Sequence, residues 1–466
     1  FFPEDTVTDE PEEIFVSELI REAALKGVQD ELPHSIAVVI EDMSLREDRP
    51  ENFPLTDIYA SLFVERDSQK AIVIGGGIAG CSTAYALAKR GIEVTLIERH
   101  ASLAQEASGN PVAMLYPKFN SSASMLSALA GNGFAFTQEL LKQLKTNEKL
   151  FQLCGQIQLA FNHSEHEKQQ QLLNSPANNT HLFQLCSAQQ ASEIANIPLS
   201  VGGLYLSDSG WVNPTLFCQA LTGSALIHQL VSNQAIQIEQ TDGWTVTLAN
   251  QNRLNAEIVV LCNANELPQF EQSQNIPITA VRGQVNFFKA NRISHQLRPV
   301  ICSQHYLSPA VDGLHSIGTS YAPNDLNPDL SSEDSHANLQ ALRKMAPSIF
   351  ASMQSAAITG RVAWRSATRD YMPLAGQLID ESLLRKAPPR YNASPSDLPW
   401  IKGLYVNAGH GSKGMITAPL CGELIANFIS GEPLRLESAL LAQLNPSRFL
   451  LRALGLKQIT QKLYDF

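Results

Sequence analysis

The chain has 466 residues, 44% apolar and 17% charged, which is room for two or three domains with large cores and the balance of an ordinary globular protein. No apolar run reaches the roughly 18 residues of a membrane span, and the N-terminus lacks a basic stretch followed by an apolar one, so neither a spanning helix nor a signal peptide is expected. The net charge of −11 belongs to one end: residues 1–67 hold 18 Asp/Glu against 5 Lys/Arg, while the rest hold 27 against 29, so the total does not exclude a nucleic-acid partner.

Residues 1–67 read as a separate acidic linker or appendage, with runs such as Asp9-Glu10-Pro11-Glu12-Glu13 beside a strand-like Ile36–Ile40. No glycine-rich nucleotide loop lies in it. From Ala71 the pattern changes. Ala71–Ile74 is a short apolar run ending in glycines, as for a parallel strand buried on both faces. Ile78–Arg90 reads as a helix of small and apolar residues closed by Gly91, and Val94–Ile97 as a second strand ending at Glu98. Together they make a βαβ unit. Downstream come a helical run at Ala123–Leu144 and strand-like runs at Trp244–Leu248, Ile258–Leu261 and Gln284–Phe288. A Pro- and Ser-rich surface loop follows at Lys386–Leu398. The seven cysteines (Cys81, Cys154, Cys186, Cys218, Cys262, Cys302, Cys421) form no CxxC pair and no His/Cys metal spacing. They read as buried thiols in a reducing compartment, the cytoplasm, with no metal site.

Three glycine-bearing loops carry chemistry. Gly75, Gly77 and Gly80 fit GxGxxG between a strand and a helix. The first allows the tight turn, the second lets a pyrophosphate reach the backbone, and the third lets helix and strand pack closely. Glu98, 18 residues past Gly80, is placed to accept hydrogen bonds from a ribose diol. This fingerprint reads as dinucleotide binding without separating FAD from NAD. Gly409-His410-Gly411-Ser412-Lys413-Gly414 lies between strand-like Leu404–Val406 and a helical run at Met415–Ile429. A helix N-terminus there, with Lys413, suits the anionic reduced ring of a flavin, and an NAD enzyme has no routine need of it. The third loop is Ala107-Ser108-Gly109-Asn110, whose polar side chains could bond phosphate or flavin edges.

These loops occur in one order with Val281-Arg282-Gly283-Gln284, Tyr306-Leu307-Ser308-Pro309 and Arg365–Asp370. That order resembles the glycine oxidase/D-amino-acid oxidase family of flavoproteins. The variants at Ala107–Pro117, Arg365–Pro373 and Ala418–Ala426 are similar to the oxidoreductase half of the bifunctional tRNA wobble-uridine modification proteins. The resemblance covers about residues 68–455. It implies an α/β (α+β) fold with a Rossmann-type FAD domain (68–125, 212–270 and 355–435) and a β-rich substrate domain (126–211 and 271–354). A basic tail is expected at 436–466. Cys262-Asn263-Ala264-Asn265 departs from the usual ending of that strand, since Asn265 replaces a small residue. For the cofactor, FAD, the resemblance implies Gly75, Gly77, Ile78, Ala79, Gly80, Glu98, Arg99, Ala107, Ser108, Gly109, Asn110, Gly409, Gly411, Ser412, Lys413, Gly414 and Met415.

The implied reaction removes the carboxymethyl group from 5-carboxymethylaminomethyl-(2-thio)uridine at the tRNA wobble position, giving the aminomethyl base and glyoxylate, with dioxygen as acceptor. Arg365 is the candidate clamp for the substrate carboxylate and Tyr306 its hydroxyl partner, with His410 beside the flavin as a hydrogen-bond donor. Arg369 and Asp370 are expected to partner each other or the flavin loop. Arg448, Arg452, Lys457 and Lys462 are expected to meet RNA or to form a solvated helix face. Residues 1–67 are too few for the methyltransferase of the bifunctional relatives, so methylation would fall to another domain or a separate chain. Two readings stay open beside this one: an oxidase of a free amine such as glycine, sarcosine or a D-amino acid, and a flavin-bearing binding subunit.

Overall fold

The computed structural model describes residues 69–117, 124–144, 149–174, 183–353, 357–390 and 393–464, with 35–46, 56–65 and a few positions between 16 and 23. The chain divides into two units, 1–69 and 70–466. The first contains an antiparallel hairpin of β1 (Ser35–Leu45) and β2 (Thr56–Glu65), so the expected strand at Ile36–Ile40 lies within β1. The acidic run at 9–13 lies outside the described residues.

In the second unit the elements that matter for the site are, in chain order, β3 (Lys70–Ile74), α1 (Ile78–Ala88), β4 (Glu93–Ile97), α2 (Met125–Gln143), β5 (Ile227–Leu230), β6 (Ile258–Leu261), β7 (Thr279–Lys289), β8 (Leu314–Gly318), α3 (Ser332–Met345), β9 (Ile358–Ala367), β10 (Leu374–Ile379), β11 (Trp400–Ala408) and α4 (Gly414–Ser430). A six-stranded sheet runs β5-β4-β3-β6-β11-β10, parallel except for β10. Alternate residues of β3 face opposite cores, as strand periodicity requires. Ala71 and Val73 pack with α1, α2 and α4, whereas Ile72 and Ile74 pack against Trp244 and Val246 of an antiparallel meander over residues 235–256. Both faces of the sheet are therefore covered, which explains the continuous apolar strands of the sequence.

A second, larger sheet contains β7 and β8 together with short strands at Gln156–Leu159, Val300–Cys302 and Tyr306–Leu307, and β9 pairs along β7. Its core joins Ile157, Phe288, Ile301 and Ile317 to Leu342 and Met345 of α3. Arg282 of the VRGQ motif is buried here and bonds Asp334 of α3 and the carbonyls of Asn327 and Asp329, so that motif anchors a helix.

Three segment assignments change. Helix α2, expected with the substrate segment, buries Ala130, Phe134 and Leu141 in the core of the six-stranded layer. Strand β9, expected in the cofactor segment, belongs to the large sheet through its pairing with β7. The expected basic tail is folded: short helices at 438–444, 448–453 and 457–461 bury Leu441, Leu451, Leu456, Ile459 and Leu463. Arg448 in it is 0% exposed and grips Asp370 bidentately at 2.9 and 2.8 Å, while also donating to the Met372 carbonyl at 2.7 Å. Arg448 is thus withdrawn from any RNA surface, although Lys457 and Lys462 are exposed. Asp370 partners Arg448 rather than Arg369, whose guanidinium lies 5.6 Å over the Phe449 ring. Among the described residues no helix is long and apolar enough to cross a membrane, and no cluster of His, Cys, Asp and Glu could hold a metal. Six of the seven cysteines are buried, and Cys154 is half-buried.

Candidate active site

The carboxyl ends of β3, β4, β6 and β11 open into one cavity of about 830 Å³, whose far wall is the large sheet. Open α/β sheets place ligands at this edge. At the end of β3, Gly75 has φ +111°, and a side chain there would strike the Cys262 carbonyl at 2.5 Å. Gly80 packs under the same turn, its added Cβ falling 1.8 Å from the Gly75 oxygen, so α1 can sit on β3 only with glycine here. At Gly77 an added Cβ would meet just the Ser108 hydroxyl at 3.2 Å; this glycine faces the cavity. The first turn of α1 has no acidic side chain and no cap from its own N-terminal residue, so apart from the Ile78 N–H, which donates to Ser108 Oγ at 3.1 Å, its positive end is left to the cavity. Glu98 is buried, its carboxylate held by the N–H groups of Gly76 and His100, both at 2.8 Å.

Most residues singled out in the sequence line this one cavity. Gly75, Gly77, Ile78, Ala79, Glu98, Arg99, Ala107, Ser108, Asn110, Gly409, Gly411, Ser412, Gly414 and Met415 do so, as do Arg365, Tyr306 and His410. Gly80, Gly109 and Lys413 are not on the wall: Gly80 packs the helix, Gly109 lies against the Arg361 guanidinium, and the Lys413 carbonyl accepts from Thr417. Arg99 reaches the lining with its guanidinium already engaged by Glu106 and Glu266. Helix α4 begins at the second glycine loop and, like α1, has neither an acidic first turn nor a side-chain cap.

His410 is fixed from both sides. Its Nδ1 lies 2.9 Å from Thr417 Oγ1 and its Nε2 3.0 Å from Asn407 Oδ1. Asn407 in turn donates to Thr83 Oγ1 of α1 at 2.9 Å, so the ring links α1 to the second glycine loop. Burial pushes its pKa down to about 3, and the ring is neutral at ordinary pH.

Arg365 projects from β9, where Gly283 of β7 leaves room for it: a Cβ there would lie 2.4 Å from its Nη2. That nitrogen donates to Thr319 Oγ1 at 2.7 Å and the Ser320 carbonyl at 3.3 Å. Among the described residues nothing bonds its Nε or Nη1, and no carboxylate pairs with it. Burial lowers its pKa, the neighbouring Tyr306 and Tyr321 oppose that, and a guanidinium stays charged regardless. Burial raises the Tyr306 phenol well above its ordinary value, with Arg365 opposing, so it is a neutral hydroxyl beside a cation.

Further residues shape the site. Arg361 of β9 bonds Asn110 Oδ1 at 3.0 Å and the carbonyls of Gln105 and Glu106, so it grips the loop of Ala107–Asn110 from 251 positions away. Both side-chain polar atoms of Asn263, the Oδ1 of Asn265 and the Ser366 hydroxyl are buried on the cavity wall without a partner. Such orphan groups call for a bound polar ligand. An open helix N-terminus, a glycine facing the cavity and an acid at the end of β4 are the donor and acceptor set that FAD requires, and the site fits it.

The model of one protein family, described as FAD dependent oxidoreductase, matches residues 70–428. The chain is 40% identical over 396 residues to a protein of Methylobacillus flagellatus named tRNA 5-methylaminomethyl-2-thiouridine biosynthesis bifunctional protein MnmC, covering 84% of this chain and 61% of that one. A protein of the same name from Pseudomonas savastanoi pv. phaseolicola is 39% identical over 403 residues, covering 83% and 60%. The chain thus spans about three fifths of the length of these curated relatives. Among solved structures, glycine oxidase from Geobacillus kaustophilus has the same fold, with a TM-score of 0.67 at 21% identity over 82% of this chain and 99% of that one.

Proposed function

The chain belongs to the FAD dependent oxidoreductase family, and from that premise we propose that it oxidises an N-substituted glycine carried on the wobble uridine of tRNA. The substrate is 5-carboxymethylaminomethyl-(2-thio)uridine and the products are 5-aminomethyl-(2-thio)uridine and glyoxylate. The observation that carries this reading is Arg365, a guanidinium on the cavity wall with two nitrogens unbonded and no carboxylate partner among the described residues. It is a receptor for a carboxylate that the protein does not itself supply. The names of the curated relatives support uridine in tRNA as the carrier.

When bound, FAD supplies the two-electron acceptor for the CH–NH unit of the amine. The protein's part is placement. Arg365 grips the carboxylate, the Tyr306 hydroxyl is a second donor beside it, and Thr319 and Ser320 hold the guanidinium in position. A neutral amine needs no strong base. His410, with both ring nitrogens engaged, is a positioning residue that ties α1 to the second glycine loop. The substrate C–N bond becomes C=N with loss of two electrons and two protons, and water then cleaves it to the primary amine and glyoxylate. On this reading the six-stranded layer holds the cofactor and the large sheet holds the substrate. Dioxygen is the terminal acceptor, the reaction belongs to the cytoplasm, and a methyltransferase domain or separate chain acts next on the primary amine. Single-turnover mixing with tRNA bearing the carboxymethylaminomethyl group tests this; bleaching by a free amine alone would favour a small-amine oxidase.

A further inference from the structure

Two large aromatic side chains stand in water, Tyr321 on the cavity wall and Tyr371 on the turn after Thr368, which packs against Gly409 of that wall. Tyr321 is 58% exposed and lines the cavity, and Tyr371 is 63% exposed. The Tyr321 phenol is close enough to interact electrostatically with that of Tyr371 and with the Arg365 guanidinium. Tyr371 has φ 58°, a left-handed conformation that favours glycine, and among the described residues it is the only aromatic there. A ring held outside the core by such a backbone buries little to offset that cost, and strain of this kind collects where a residue is needed for something other than folding.

The turn that presents Tyr371 is built rigidly. The Asp370 carboxylate accepts from the Thr368 hydroxyl at 3.1 Å and the Met372 N–H at 3.2 Å, and fully buried Arg448 clamps it from the other side. The Tyr371 N–H closes the turn on the Thr368 carbonyl at 3.2 Å. A deeply anchored turn that ends in an exposed ring is suited to hold that ring for a ligand.

We infer that Tyr321 and Tyr371 form a stacking platform for the pyrimidine base that bears the amine. This rests on the proposed uridine-borne substrate. A –CH2–NH–CH2– bridge is all that separates its carboxylate from the ring, so with the carboxylate on Arg365 the base must lie near the cavity mouth, where these tyrosines are. Unpaired bases are commonly recognised by stacking on aromatic side chains, and every base has a face to offer. The pair would therefore favour an amine on a nucleobase over a free one.

The test uses the holoenzyme and the nucleoside 5-carboxymethylaminomethyluridine, which lacks the phosphates that would mask a stacking term. Tyr371→Gly suits the backbone, so its flavin content and melting temperature should not fall below those of wild type. The nucleoside concentration that half-saturates anaerobic flavin bleaching should rise roughly 5- to 150-fold, with the loss falling on half-saturation rather than on the limiting rate. Tyr321→Ala should act in the same direction, and Tyr371→Phe should restore most of the affinity, because a phenyl ring still stacks. Unchanged half-saturation in both truncations would overturn the platform, as would an equal loss in Tyr371→Phe. If wild type is bleached by neither the nucleoside nor the modified tRNA, the substrate assignment itself fails and takes the platform with it.

Discussion

Replacing Arg365 with Ala should abolish productive substrate binding while leaving the flavin in place. The guanidinium spends one nitrogen on Thr319 and Ser320, and its Nε and Nη1 are unbonded among the described residues. Those donors, on opposite edges of the guanidinium, are left for a carboxylate. Losing a partly buried, charge-assisted contact of this kind costs about 2–5 kcal/mol, or roughly 30- to several-thousand-fold in binding or rate. Arg365→Lys should recover part of this, because an ammonium supplies the charge without the two-pronged geometry. The assay is anaerobic stopped-flow reduction of the flavin by modified tRNA, alongside the 450 nm absorbance of the purified variant. Flavin content should hold, since Gly77, Ser108 and Glu98, the residues proposed to hold the cofactor, lie at the opposite wall, and tRNA affinity should largely hold because phosphates supply most of it. A variant that loses FAD or unfolds would make Arg365 structural; one that reduces at the wild-type rate would mean that another group holds the carboxylate.

The remaining expectations concern the cradle and the fold. Gly77→Leu should purify colourless, since the side chain enters the cavity beyond Ser108; normal flavin content would contradict the assigned pyrophosphate position. Gly80→Ala should lower the melting temperature by forcing the first turn of α1 off β3, at a cost of at least about 1–3 kcal/mol, and an unchanged melting curve would argue against that contact. Burial raises the Asp370 pKa, but Arg448 outweighs that and holds it below 3.8, so this pair's stability is full above that pH and is lost as pH falls through the lower folded value. Arg448→Met should destabilise by about 3–5 kcal/mol and move acid unfolding to higher pH, read by circular dichroism across pH 2–6. His410, neutral down to about pH 3, should add its own loss of stability as pH drops from about 6.5 toward 3, and His410→Asn should flatten that limb.

The parts of this molecule legible in the sequence are those whose cause is local. Strand, glycine turn, helix and second strand of the βαβ unit fall within 28 residues, 70–97, and the alternation of Ala71 and Val73 with Ile72 and Ile74 is enough to bury both faces. The second glycine loop was readable for the same reason, through its strand before and helix after. What escaped was set by distant pairing. Arg361 reaches Asn110 across 251 positions, and Arg448 reaches Asp370 across 78, so neither basic residue carries a local sign of its partner. A run of Arg and Lys near the C-terminus looks like a solvated face until Leu441, Leu451 and Leu456 are seen to pull it into the core. Strand β9 and helix α2 were assigned to the wrong layers because order along the chain does not say which sheet a segment joins. Asn265 stood out as a departure from a familiar strand ending, whereas Asn263 beside it, with both polar atoms unpartnered on the cavity wall, carried no sign of its own.

The central claim is that the amine oxidised here sits on a tRNA uridine. The most direct measurement is anaerobic mixing of the purified yellow protein with tRNA carrying 5-carboxymethylaminomethyluridine, following flavin absorbance and assaying glyoxylate. The account predicts bleaching in a single turnover, one glyoxylate per flavin reduced, and no bleaching with the same tRNA lacking the carboxymethyl group. Flavin that stays oxidised with the modified tRNA but bleaches with glycine or N-methylglycine would contradict it.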